Sequence, residues 1–305
     1  MSEKKAMEII KPGTQIPFLR YRHRAFAASA LVSLAVLVLL FAKGPKLGVD
    51  FAGGTMVHLK FHQNVTISEI RQALARSGLG DSVVQDFGGG ETGEFLVRLE
   101  TTGAQLGTVG QEIRQGLSDR FGPEQFEIRR TESVGPKVGK DLRQRGALSV
   151  LLATVMMGAY IWLRFELRFG LGAILALIHD VLITIGALVL ANYEFDLPIV
   201  AALLAIAGYS VNDTVVVCDR IRENMRKYRR ESLEKIINTS INETLGRTIL
   251  TTITTLLVLS ALFVLGGGVI RPFAFALLVG FMSGIYSTIF IATPMILVWE
   301  KGKRR

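Results

Sequence analysis

The sequence predicts a polytopic α-helical membrane protein of six transmembrane helices, with an α+β domain exported between helices 1 and 2. Three observations carry this prediction. Half of the residues are hydrophobic, only 20% are charged and the mean hydropathy is +0.39, a balance outside that of soluble domains. Apolar runs at 26–42, 146–162, 169–191, 197–218, 248–265 and 273–299 approach or exceed the roughly 20 residues that a spanning helix needs. Between the first two runs lies a polar stretch, 43–145, large enough for one small domain.

The segments follow in order. A tail, 1–24, leads into the first helix, 25–42, which continues as Phe41-Ala42-Lys43-Gly44-Pro45 without a small-x-small cleavage site and therefore reads as retained. Residues 146–299 form helices 2 to 6, with a connecting loop at about 219–246, and 300–305 close the chain. Six crossings put both ends on one side. Basic residues cluster there: Lys4, Lys5, Lys11, Arg20, Arg22 and Arg24 before helix 1; Arg164 and Arg168; Arg220 to Lys235; and Lys301, Lys303, Arg304 and Arg305. The opposite short connections contain only Arg271, so the positive-inside rule puts the termini in the cytoplasm and the 43–145 domain in the periplasm. The net charge of +9 is thus a matter of topology and does not indicate nucleic acid as a partner. Cys218, the single cysteine, excludes an intrachain disulfide and implies no redox role.

Inside 43–145, Val57, Leu59 and Phe61 alternate with polar residues as in a half-buried strand. Thr66 with Glu69 makes a capping box, after which Ile67, Ile70 and Leu74 recur at helical spacing until Gly78 and Gly80. Strands are predicted at 82–87 and 94–100, joined through Gly88-Gly89-Gly90, with Phe95, Val97 and Leu99 on one face. Val109, Ile113, Leu117 and Phe121 define a second helix ended by Gly122-Pro123, and Phe126 with Ile128 opens a last strand. The order β-α-β-β-α-β is the ferredoxin-like split arrangement, which by itself carries little function. His58 and His62 lack partners at ligand spacing and read as surface strand positions. With no phosphate-binding loop, dinucleotide fingerprint, nucleophile elbow or metal-ligand set, the chain is predicted to be no enzyme and to hold no cofactor or metal.

The informative residues lie within the spans. Asn212 and Asp213 interrupt the fourth apolar run, where a charged group exposed to lipid costs roughly 3 kcal/mol. Asp213 shares a helical stripe with Tyr209 and Ser210, about 8 Å from the cytoplasmic end at about 1.5 Å per residue. Arg247 enters the fifth helix at comparable depth, followed by the hydroxyls of Thr248, Thr251, Thr252 and Thr255. Desolvation raises a carboxylic acid's pKa and a guanidinium lowers it, so Asp213 beside Arg247 is a candidate proton-loading site. A static ion pair, or an Arg247 that snorkels to the headgroups, is the structural alternative. His179 and Asp180, about 16 Å into the third helix, form a second polar pair that either relays protons or holds structural hydrogen bonds. Gly280 and Gly284 make a G-x-x-x-G on the sixth helix with Ser283 and Ser287 on nearby faces, a packing motif first of all, and Tyr286 is a weaker candidate for a polar path.

Four separated motifs, GVDFAGGT at 48–55, SVGPKVGKDL at 133–142, GYSVNDTVVVCDRIREN at 208–224 and NTSINETLGRTILTTITT at 238–255, resemble the signatures of the SecF family, the smaller subunit of the SecD and SecF protein-export complex. The resemblance implies a half-unit of the resistance-nodulation-division architecture in the bacterial inner membrane. It also implies SecD as the partner supplying six further helices, the SecYEG translocon and accessory YajC as neighbours, and unfolded preproteins as substrates. The proton-motive force would be the energy source, with protons as coupling ion and Asp213 and Arg247 as the coupling residues. Gly48, Gly53 and Gly54, just after the first helix, are hinge candidates, with a tight turn into the first strand as the alternative. Two other functions remain open at this level: a homo-oligomeric proton-driven exporter of small lipophilic molecules, and a passive translocon scaffold.

Overall fold

The computed structural model describes residues 15–86, 93–99, 108–268 and 270–303. Gly88-Gly89-Gly90, Phe87, Glu100, Lys4, Lys5, Lys11, Arg304 and Arg305 lie outside the described residues.

Among the described residues, six helices are long and apolar enough to cross a membrane: Phe18–Lys43, Pro136–Arg164, Leu167–Leu190, Leu197–Lys227, Leu233–Leu265 and Ile270–Trp299. The first is α1 (Arg22–Lys43) preceded by a 3-10 turn at Phe18–Tyr21. After it come a two-residue strand β1 (Lys46–Leu47) and a single turn α2 (Val49–Ala52). The polar stretch then forms β2 (Gly54–Phe61), α3 (Ile67–Arg76), β3 (Val83–Asp86), β4 (Glu94–Leu99), α4 (Val109–Phe121) and β5 (Phe126–Val134). The sheet is antiparallel in the order β3-β4-β2-β5, so each helix crosses over one intervening strand.

Alternation in the strands and helical periodicity bury one common core. Val57, Leu59, Phe61, Val97 and Phe95 from the sheet meet Ile70, Leu74, Ile113 and Leu117 from the two helices. Thr66 Oγ1 accepts from the Glu69 amide while the Glu69 carboxylate accepts from the Thr66 amide at 2.8 Å, completing the capping box. Thr66→Ala is expected to destabilise α3 by about 1 kcal/mol, read as faster amide hydrogen exchange along that helix while α4 is unchanged. His58 corrects the surface reading: β2 is flanked by strands on both sides, and His58 is half-buried with Nε2 3.2 Å from Glu94 Oε2.

The membrane helices are α5 (Pro136–Arg164), α6 (Leu167–Leu190), α7 (Leu197–Lys227), α8 (Leu233–Leu265) and α9 (Ile270–Ser287), the last continued through a π-helical segment, Thr288–Ala292, into α10 (Thr293–Lys303). A second two-residue strand, β6 (Glu194–Phe195), lies between α6 and α7 and pairs in parallel with β1. The predicted loop at about 219–246 is mostly helical, because an apolar run records membrane thickness and not helix length. Only 228–232 separate α7 from α8.

Small residues set the helix crossings. A Cβ at Gly280 would fall 2.3 Å from Ile206, and one at Gly172 would fall 2.6 Å from the Ala292 carbonyl oxygen. The extended hairpin folds back under the bundle, where Ile221, Ile237 and Ile241 pack with Leu19, Phe169 and Leu297. Asn238 and Asn242 hold the turn before α1: both donate to the Ile16 carbonyl, at 3.0 and 2.9 Å, and their side-chain oxygens accept from the Leu19 and Ile16 amides.

Candidate intramembrane functional site

Asp213 lies on α7 facing α8, and Thr248 there donates to its Oδ1 at 2.5 Å. The other oxygen, Oδ2, is buried without a hydrogen-bond partner among the described residues. Asp213 itself helps to line a cleft of about 260 Å³ between α7, α8 and α9, together with Tyr209, Ser210, Asn212, Thr251, Thr252, Thr254, Thr255, Gly284 and Ile285. At about 30 Å³ per water, that volume accommodates several waters. Thr251 and Thr255 each donate to the carbonyl one turn earlier, at 3.0 and 2.8 Å, leaving their oxygens to accept. Tyr209 stacks on Phe281 with centroids 4.0 Å apart, its hydroxyl 3.5 Å from Thr255 Oγ1.

Arg247 is exposed and makes no ion pair with Asp213 among the described residues. The two side chains are thus not in direct contact in this conformation, although the Arg247 guanidinium is close enough to act electrostatically on the carboxylate. With about 100° between successive helical residues, Thr248 takes the inward position and Arg247 turns outward. Arg247, Thr251 and Thr254 recur at helical spacing on an exposed face of α8, beside exposed Asn212 on α7.

Asp180 is fully buried and gathers more partners than any prediction gave it. Ser210 and Ser287 donate to Oδ2 at 2.8 and 2.7 Å, Ser283 donates to Oδ1 at 2.6 Å, and His179 Nδ1 lies 3.3 Å from Oδ1. Tyr286 stacks on His179 and donates to the Ala25 carbonyl at 2.8 Å, while Ser29 donates to the Tyr286 hydroxyl at 2.9 Å. A further hydroxyl pair, Thr214 with Thr288 at 2.9 Å, joins α7 to the π-helical segment.

The glycine candidates occupy a packed seam. Gly53 and Gly54 have φ of +81° and +123°, and a Cβ on Gly53 would lie 2.9 Å from Pro136 Cα. The Gly48 amide donates to the Phe195 carbonyl at 2.7 Å, where β1 meets β6. Gly48 and Gly53 cap the two ends of the single turn α2, and Gly54 opens β2. Gly53→Ala is expected to lower stability by roughly 1–3 kcal/mol through a backbone region that side chains avoid, measured as a drop in the thermal midpoint in detergent.

The same seam caps α7. Leu197 N donates to Asp50 Oδ2 at 3.0 Å and Ile199 N to Asp196 Oδ1 at 3.1 Å, placing two carboxylates at the positive end of the helix dipole. Burial, with help from the Asp50 and Glu194 charges and against the Ile199 hydrogen bond, pushes Asp196 up to about 6. The folded state then holds this proton more tightly than the unfolded chain, so the Asp196 contribution to stability falls as pH rises from about 4 to 6. Asp196→Asn, which keeps an acceptor, is expected to flatten that slope and raise the thermal midpoint above pH 6.

Glu194, which the sequence reading passed over, ties the soluble domain to this seam. Its Oε1 accepts from Lys46 at 2.9 Å and from Gln85 on β3 at 3.0 Å, and its Oε2 lies 3.2 Å from Arg98 Nη1 on β4.

These features define a class: a multi-pass membrane protein with two carboxylates inside its helical bundle and a small α+β domain latched to one rim. The comparisons name the family. A model described as protein export membrane protein SecD/SecF, C-terminal, matches residues 115–302, and one for the SecD/SecF GG motif matches residues 38–65, which contain Gly53-Gly54. The chain is 47% identical over 293 residues to a protein translocase subunit SecF of Desulfurispirillum indicum, covering 93% of this chain and 92% of that one. It is 46% identical over 303 residues to the SecF subunit of Magnetococcus marinus, covering 98% and 96%. A crystal structure of SecDF from Thermus, described as a translocon-associated membrane protein, superposes with a TM-score of 0.81 at 34% identity; the match covers 95% of this chain but only 39% of that longer one. A super-membrane-facing form of SecDF matches with a TM-score of 0.72 at 34% identity, covering 98% of this chain and 40% of that one. The chain belongs to the SecD/SecF family of protein-export membrane proteins, on the side of its SecF subunits.

Proposed function

We propose that the chain works with a SecD-type partner to convert the proton-motive force into preprotein movement and release on the far side of the bacterial inner membrane. In this reading both termini are cytoplasmic, the ferredoxin-like domain is periplasmic, and the six helices form one half of a resistance-nodulation-division unit beside the SecYEG translocon and YajC. The observation that carries it is the Asp213 cleft: a carboxylate with one oxygen unpartnered among the described residues, on a residue that lines a cleft of about 260 Å³ within the apolar spans.

The partner follows from the same face. Asn212 is exposed on α7 after Ala201, Ala205 and Gly208, and Arg247, Thr251 and Thr254 are exposed on α8, which otherwise presents mostly Leu, Ile and Val outward. Lipid solvates such groups poorly, whereas a second helical half would bury them. The strand order β3-β4-β2-β5 supports the ferredoxin-like assignment. Force transmission has a route too, since Glu194, just ahead of the first turn of α7, contacts two strands of the soluble domain.

Reconstitution into vesicles with the translocon tests the proposal. Export stimulated by an imposed proton gradient is expected only when a SecD-type chain is present, and an uncoupler should remove the stimulation. Gradient-insensitive stimulation would indicate a passive scaffold, and gradient-driven efflux of lipophilic dyes by the chain alone would favour a self-sufficient exporter.

A further inference from the structure

Resting on the proton-coupled reading, we propose that Asp180 is a second proton-carrying carboxylate, placed in series with Asp213 through the hydroxyl of Ser210. The mid-bundle position of Asp180 makes it the deeper of the two, with Asp213 nearer the Lys227 end of α7. Of the three serines that donate to Asp180, Ser210 alone also lines the Asp213 cleft. It therefore touches both compartments. Gly284 keeps that junction open: a Cβ there would sit 3.4 Å from Ser210 Oγ, so a larger side chain at 284 would cover the hydroxyl from the cleft side.

The transfer balances as a proton hop. Protonated Asp180 gives its proton to Ser210 Oγ while Ser210 releases its own hydroxyl proton to a water in the cleft, and that water protonates the Asp213 carboxylate, which lines the same cleft. Asp180 ends as a carboxylate, Asp213 as a carboxylic acid, and Ser210 unchanged once its hydroxyl has rotated back. The three serine donors then stabilise the Asp180 anion that remains, as multiple hydrogen bonds to a charged carboxylate do. On the other side of Asp180, His179 Nδ1 lies 3.3 Å from Oδ1, and its ring stacks on Tyr286, whose hydroxyl is hydrogen-bonded to Ser29 and Ala25 on α1.

A purely structural cluster makes a different prediction, because Ser210 and Ser283 each supply one hydrogen bond to the same carboxylate. The experiment compares Ser210→Ala, Ser283→Ala, Asp180→Asn and Asp213→Asn in the complex with a SecD-type chain, reading both the thermal midpoint and proton flux into vesicles loaded with a pH-sensitive dye. Ser210→Ala is expected to reduce flux at least about a hundredfold, the lower end of what a positioned proton-transfer group contributes, with Ser283→Ala reducing it far less, through the loss of one hydrogen bond to the anion, and the two midpoints alike. Asp180→Asn should match Asp213→Asn in flux. Equal flux for Ser210→Ala and Ser283→Ala, with Asp213→Asn inactive, overturns the series relay and leaves the Asp213 reading standing. Flux retained in Asp213→Asn removes both.

Discussion

Asp213→Asn is expected to abolish gradient-driven stimulation of export and proton flux while leaving assembly and thermal stability at or slightly above wild type. The reasoning rests on what asparagine preserves. Its side-chain oxygen can still accept the Thr248 hydroxyl, and its amide group fills the volume of the buried Oδ2. What it loses is the ability to bind and release a proton. One charge moved through 100 mV is worth about 2.3 kcal/mol, enough to change a two-state population by more than tenfold, and none of that energy is available without a titrating group. Removing a buried charge also relieves desolvation, so stability should not fall. Thr248→Val provides a graded companion, because it strips the carboxylate of its one hydrogen bond among the described residues, disfavours the anion, and should slow proton release without eliminating binding. Retained flux in Asp213→Asn, in protein that assembles normally, would contradict the coupling role.

Much of this architecture is written in periodicities. Val57, Leu59 and Phe61 in β2, and Val109, Ile113 and Leu117 in α4, are buried as their spacing requires, since each pattern is local and each face meets one core. The limits arise where contact is made between distant segments. Arg247 and Thr248 are equally good candidates at the right depth, and only the rotation of α8 about its axis decides that the hydroxyl faces Asp213. Ser210, Ser283 and Ser287 are individually unremarkable helical serines; their convergence on Asp180 exists only after three helices pack. The pairing of β1 with β6 joins two dipeptides on opposite sides of three helices and one domain, with no periodicity to signal it. Glu194 stands in a short connection where a charged residue is expected on solvation grounds alone, so its three partners were invisible.

Charge reversal at Glu194 should separate proton binding from domain movement. Glu194→Arg replaces contacts to Lys46, Arg98 and Gln85 with a guanidinium facing two cations. The carboxylate is mostly shielded, at 23% side-chain exposure, while Lys46 is more open at 40%, so each lost pair and each new repulsion is worth at most about 1 kcal/mol after screening. Their sum, on the order of 2 kcal/mol, corresponds to a fall of roughly thirtyfold in the docked-to-undocked ratio of the soluble domain. Spin labels at exposed Val83 and Asn192 would read this as a broadened, longer distance distribution, with buried Cys218 leaving the labelling clean. Adding Arg98→Glu restores one attraction but leaves Lys46 against the new arginine, so rescue should be partial until Lys46→Glu is added as well. Proton flux through the Asp213 cleft should persist in all three proteins, because the latch lies outside the spanning helices, while export stimulation follows the distance distribution. An unchanged distribution in the single reversal would mean that the α2–α5 packing around Gly53 and Gly139 holds the domain by itself, and that Glu194 transmits nothing.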